Sequence, residues 1–326
     1  MNRFVRSALA CLVMAIGALP LAPVQAQDKY PSRSIRIVVP YVAGGVGDVV
    51  ARILSTPLGE VLGQPVIVEN RPGGDAAMGT EYAARTPPDG YTILQVSTPQ
   101  AVNMVLKENV RYDLLRDFVP VARVASTTLV LTTSVNAPGR SVADLVAAGK
   151  ARPGGLTFGS GAVGSLGHLS GELFKRAANI SALHVPYKGN AAVIPDLIGG
   201  RLDFFFATQP EALQGVSGGH LRALAVTATQ RVAAFPGVPT MIEAGFPNFD
   251  PSSNYGYMVP ANTPPAVVVQ LYEAIARVVN TPAVQERFQT LGLTSALADP
   301  QAWGASVKND IYRWGQVIKA ANIRAD

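Results

Sequence analysis

The chain has 326 residues, with 27 basic and 22 acidic side chains and a formal net charge of +5. Its basic residues are scattered, without a Lys/Arg run or interleaved aromatics, which argues against a nucleic-acid surface. The single cysteine, Cys11, lies in the amino-terminal apolar stretch, so residues 27–326 have no disulfide, thiolate metal site or cysteine nucleophile.

Arg3 and Arg6, an apolar run over residues 8–21 and the tripeptide Val24-Gln25-Ala26 read as a secretory signal, cleaved after Ala26. The run is too short and too broken by proline to span a bilayer, and no later stretch is long and apolar enough to do so. Without Arg3 and Arg6 the net charge falls to near +3, compatible with attracting small anions. Beyond the signal, short apolar runs alternate with helical periodicity. Residues 35–39 form a strand, followed by a glycine cluster at Gly44, Gly45 and Gly47 and a helix over 48–62 in which Pro57 introduces a kink. A strand at 66–68, the turn "NRPGGD", a helix near 76–84, the turn "PPDG" and a strand at 91–96 come next. Strands are expected at 119–125, 129–132, 156–158, 182–185, 202–207 and 221–226. Helices are expected from the capping-box pair Ser141 and Asp144 to Lys150, at 165–177 and at 190–198. Three helices close the chain at 264–279, 282–290 and 300–320, each opening on proline behind Thr263, Thr281 or Asp299. In the last, Trp303, Val307, Ile311, Trp314 and Ile318 share a stripe that belongs in a core. Alternating strand–helix units imply mostly parallel sheets covered by helices.

The stretch "VPYVAGGVGDVVARIL" has a counterpart in "LTFGSGAVGSLGHLSGELF", again strand, glycines, helix. The second spells G-x-G-x-x-G, but a dinucleotide site needs an acid about 20 residues further on, where only His184 stands. No Walker loop is present, and Phe158 and Val163 break the G-x-S-x-G frame around Ser160 and Ser165. A helix N-terminus carries free N–H groups and about half a positive charge, and glycines let an anion reach them. Two such termini facing each other would clamp a carboxylate. Turn geometry alone remains an alternative for either loop. No His/Glu/Asp cluster has metal spacing, so neither metal nor cofactor is expected.

These loops, with "LGQPVIVENRPGG", "PPDGYTIL", "HVPYKG", "LIGGRLDFFF", "LRALAVT", "VPTMIEAGFP" and "RWGQVIKAANI", resemble the periplasmic substrate-binding proteins of tripartite tricarboxylate transporters, the Bug-type receptors. The resemblance covers essentially all of residues 27–326. It implies an α/β two-domain periplasmic-binding-protein clamshell, type II-like, each domain a mostly parallel sheet flanked by helices, with two hinge crossovers. Domain I would comprise 27–127 and 251–326, and domain II 128–250. The implied function is capture of a small carboxylate without catalysis or cofactor, by a periplasmic monomer that delivers it to the membrane subunits of the transporter.

The family's carboxylate loops map to Tyr41, Gly44, Gly45, Val46, Gly47 and Asp48, and to Ser160, Gly161, Gly164, Ser165 and His168. A third segment maps to Ser97, Thr98 and Asn103, and a strand end to Ala207 and Thr208. Asp48 is read first as a helix N-cap and second as a ligand contact; His168 lies off the apolar stripe of its helix. Where relatives carry Ser-Thr before the loop Asp, this chain has Val46-Gly47. The strand end Ala207-Thr208-Gln209 supplies no acid, which favours a carboxylate lacking an ammonium, with Phe204, Phe205 and Phe206 as a partial apolar wall. A ligand sensor, an exported enzyme using Ser160 or Asp48, and a phosphate or nucleotide binder remain the alternatives.

Overall fold

Runs of five or six apolar residues ending in turn formers and amphipathic stretches give two sheets, each with its own helices. The computed structural model describes residues 30–249 and 251–324; the signal segment lies outside them. In the first sheet, β1 (Ile35–Val39), β2 (Val66–Asn70) and β3 (Thr92–Ser97) alternate with α1 (Val46–Leu62), α2 (Ala77–Ala84) and α3 (Thr98–Leu106). The β1 strand pairs in parallel with both β2 and β3, and Ile35, Ile37, Val38 and Val39 are fully buried. Then β4 (Phe118–Thr127) completes the chain's first passage through this sheet, and after Thr128 alone β5 (Leu129–Ser134) begins the second one.

The second sheet adds α4 (Val142–Ala151), β6 (Leu156–Ser160), α5 (Leu166–Ala178), β7 (Ala182–Pro186), α6 (Ile194–Ile198), β8 (Phe204–Thr208), α7 (Gln209–Ser217) and β9 (Leu221–Val226). The chain returns through β10 (Ser253–Pro260), α8 (Pro265–Val279), α9 (Pro282–Thr290), β11 (Leu293–Ala298) and α10 (Pro300–Ala320). The sheet orders are β11-β4-β10-β3-β1-β2 and β7-β6-β8-β5-β9.

The two-sheet α/β clamshell with two crossovers is therefore present, but its sheets are mixed rather than mostly parallel. The returning β10 inserts between β3 and β4 antiparallel to both, and β11 adds antiparallel to β4. In the second sheet β5 runs antiparallel to β8 and β9, while β6 pairs in parallel with β7 and β8. The strands that cross between sheets cause the difference. The outgoing strands β4 and β9 pass to the other sheet with no helix between, so they lack the helical crossover that parallel pairing needs.

Alternation along β8 sends Phe204 and Phe206 into one apolar cluster and Phe205 and Ala207 into another. All three phenylalanines are buried, so none walls a cleft. The α10 stripe divides its work. Trp303 and Val307 pack under the first sheet, whereas Trp314, Val317 and Ile318 meet Val102 of α3 and Leu169 of α5. Trp314 and its neighbours thereby join the two lobes through an apolar contact.

Candidate functional site

The strands β1, β2 and β3 are parallel and each is followed by a helix, β3 directly and the others after a short loop, so α1, α2 and α3 begin at the same edge of the sheet. The α1 cap is Gly45, with φ −70° and ψ 163°. The helix starts two residues before the expected position, which makes Asp48 its third residue and not its cap. The Asp48 carboxylate accepts from Gly44 N at 2.9 Å, from Arg52 Nε at 2.9 and 3.0 Å and from Asn70 Nδ2 at 2.9 Å. Burial pushes this carboxyl up, but Arg52, Gly44 and Asn70 together hold it below its ordinary value. Asn70 also donates to the Tyr41 carbonyl at 3.1 Å, so both ends of the glycine loop are tied to one side chain.

Inside that frame the N–H groups of Val46, Gly47 and Asp48 have no acceptor among the described residues. Glycine at 47 fits a crowded position: a Cβ there would lie 2.6 Å from Gln95 Oε1 and 3.1 Å from Tyr41 Cδ2, so the Gln95 side chain would have to shift. The approach to α2 is unusual, because Gly73, Gly74, Asp75 and Ala76 all have positive φ, of 130°, 58°, 53° and 78°. The carbonyl of Asp75 accepts from Asn103 Nδ2 at 2.5 Å, and its carboxylate pairs with Lys107. Ser97 caps α3, its N–H on Gln100 Oε1 at 2.8 Å, while Tyr41 OH lies 2.7 Å from Ser97 Oγ and 2.9 Å from Gln100 Oε1.

Between these three helix starts lies an open cleft of about 550 Å³. Tyr41, Gly45, Val46, Gly47 and Ser97 line it, as do residues 72–76, Pro99 and Tyr255. No lysine or arginine is among its lining residues. Gly44, which is exposed, and Asp48, which is buried, are not among the lining residues, and the Asn103 amide is spent on Asp75. The 72–76 rim escaped the sequence reading, although "RPGGD" concentrates residues that tolerate left-handed backbone. A larger hollow of about 790 Å³ flanks the crossovers at Thr128 and Ser252, and none of the expected site residues lines it.

The second glycine loop belongs to the other lobe. Ser165 caps α5 and accepts from His168 N at 3.3 Å. Gly164 N donates to His168 Nδ1 at 3.0 Å, which fixes His168 as the neutral tautomer protonated on Nε2. Its ring stacks on His184, centroids 3.6 Å apart and planes 9° from parallel. Burial, followed by His184 and Lys175, brings His168 down to about 3; burial and Lys175 bring His184 down to about 4. Ser160 Oγ donates to the Ala162 carbonyl at 2.8 Å and lies 2.7 Å from His184 Nε2. With its proton on Ala162, the hydroxyl accepts from the imidazole. Ser160 is also fully buried, so the pair is not an accessible nucleophile with its base. Asn190 fills the space beside Gly161, and a Cβ on Gly164 would lie 2.6 Å from Leu106 Cδ2 at the end of α3. Ala207 sits in the apolar core, and Thr208 caps α7, its N–H on Glu211 at 2.9 Å. None of these second-lobe residues lines the cleft of the first lobe.

A family model described as the tripartite tricarboxylate transporter family receptor matches residues 50–323. BugT of Bordetella pertussis is 39% identical over 300 residues, 91% of this chain and 92% of BugT. Among solved structures, R. palustris Rpa4515 with adipate is 33% identical with a TM-score of 0.75, over 90% of this chain and 99% of that one. MatC from Rhodopseudomonas palustris with bound malate is 26% identical with a TM-score of 0.70, over 89% of this chain and 100% of that one. Matched over most of its length and arranged as two glycine-loop lobes, the chain belongs to the tripartite tricarboxylate transporter receptor family.

Proposed function

We propose that this chain is a periplasmic solute-binding receptor that captures a small carboxylate between two lobes and delivers it to the membrane subunits of a tripartite-type transporter. One observation carries the reading: three helix N-termini open on one cleft that has no basic side chain in its lining. The free N–H groups of Val46, Gly47 and Asp48 and the dipoles of the three helices then supply the anion's partners. The neighbours solved with adipate and malate support the carboxylate class.

On this reading residues 27–127 and 251–326 form the first lobe and 128–250 the second. The ligand rests on Tyr41, Gly45–Gly47 and Ser97, and on closure meets the N-terminus of α5 at Ser165. Asp48 and His168 hold the two loops in shape. The signal is removed after Ala26, the receptor works as a monomer, and it performs no chemistry on its cargo. The ligand favours the shut form only through its differential contacts across both lobes.

A thermal-shift panel of mono-, di- and tricarboxylates, phosphate and nucleotides tests the reading. A carboxylate at a hundred times its Kd stabilises the folded chain by about 2.7 kcal/mol, a rise of several degrees in Tm. A rise with phosphate or nucleotides and none with any carboxylate would reject it.

A further inference from the structure

We infer that the cleft selects carboxylates with an apolar body and no ammonium group, a conclusion that rests on the receptor reading above. The sequence pointed the same way through Ala207, but Ala207 is core, and the structural grounds are different. One acid, Asp75, lines the cleft, and a second, Asp48, lies buried beside the glycine loop. Asp48 is 2% exposed, and its carboxylate is enclosed by Gly44, Arg52 and Asn70. Asp75, the one acid in the lining, is paired with Lys107.

An ammonium entering the cleft would therefore meet one carboxylate, Asp75, whose charge is already balanced by Lys107 and which stays 76% exposed to water along its side chain. It would also face the positive ends of α1, α2 and α3, which repel it as they attract an anion. A cation desolvated with only a lysine-paired, solvated carboxylate beside it is held poorly, so the ammonium-free acid is favoured.

The body of the ligand is specified by what lies beside those N–H groups. Val42 is 64% and Val46 48% exposed, and both line the cleft together with Pro72 and Pro99. Together they give the cleft an apolar face on which an apolar ligand body can be buried. The lining hydroxyls of Tyr41 and Ser97 bond to each other and so do not call for a hydroxylated body. The second glycine loop presents a matching valine, Val163, at 41% exposure.

The test compares acids that differ only in the ammonium: glutarate with glutamate, succinate with aspartate, and 3-phenylpropanoate with phenylalanine. Calorimetry on the purified protein should give the ammonium-free member at least roughly tenfold tighter binding in each pair that binds, with 3-phenylpropanoate ahead of succinate. Val46→Asp places an acid at the first turn of α1, where a helix tolerates it. It should shift each ratio towards the amino acid. An amino acid that binds the wild-type protein as tightly as its deaminated partner would overturn the inference and leave the receptor reading intact. Failure of every acid and amino acid to bind would reject the receptor reading and this inference with it.

Discussion

Replacing Asp48 by alanine should destabilise the chain and weaken ligand binding together, although the residue does not line the cleft. The carboxylate joins Gly44, Arg52 and Asn70, and its removal leaves three donors without their acceptor. Arg52 is 54% exposed along its side chain and rehydrates, so the cost falls below that of a fully buried pair. A loss of about 2–3 kcal/mol is expected, mostly from the Gly44 N–H and the Asn70 amide. The glycine loop then loses its tether, and affinity should fall by roughly tenfold or more, as a 1.4 kcal/mol penalty on ordering the loop implies. Arg52→Ala distinguishes positioning from contact. It removes part of the tether far from the cargo and should lower affinity in the same direction. Urea denaturation and calorimetry on both variants give the answer; unchanged affinity in Arg52→Ala alongside a large loss in Asp48→Ala would make Asp48 a direct contact.

Acid should destabilise the protein before its carboxylates titrate. His168 and His184 are held neutral, at about 3 and about 4, whereas both take a proton near 6.5 when unfolded. Native values below the unfolded ones mean that stability is intact above about pH 6.5 and declines as pH falls towards 4. For His168, 5% exposed, the decline reaches about 3 kcal/mol by pH 4.5. Its cause is local: a proton on His168 Nδ1 would point at the Gly164 N–H that now donates to it, and would place charge against His184 and Lys175. His168→Gln retains an acceptor and removes the titration. Denaturant midpoints at pH 7 and 4.5 should therefore differ less in that variant than in the wild type. Equal differences in the two proteins would show that the stacked pair does not govern the acid response.

Much of this architecture was legible in the sequence, for physical reasons that vary along the chain. The β1–α1 and β6–α5 units were readable because apolar strands end in glycines and lead into amphipathic helices, and α9 and α10 matched the positions set by Pro282 and Pro300. By contrast β10 was not anticipated. Every residue of "SNYGYMVP" is buried, so no alternation marks the strand. The α7 helix was hidden behind Pro210, and β11 behind a weakly patterned "LTSALA".

At the site, the backbone segments were readable but the side-chain assignments were less so. Asp48 looks like a cap from its position, and only the backbone shows that Gly45 takes that place and Asp48 turns back to Gly44 and Arg52. Nor does spacing reveal that Asn103 is committed to the Asp75 carbonyl, that residues 72–76 complete the cleft, or that His184, 16 residues from His168, stacks against it. Those contacts depend on strands paired across the sheet.

Small-angle scattering of the purified protein, alone and saturated with a carboxylate whose binding calorimetry has established, tests capture between the lobes most directly. The lobes meet through the crossovers, the apolar contact around Trp314 and the approach of Gly164 to Leu106. Saturation should draw the α5 N-terminus towards the first cleft, lower the radius of gyration and narrow the pair-distance distribution. A ligand that binds at one site per chain and leaves the scattering profile unchanged would contradict closure as the means of capture.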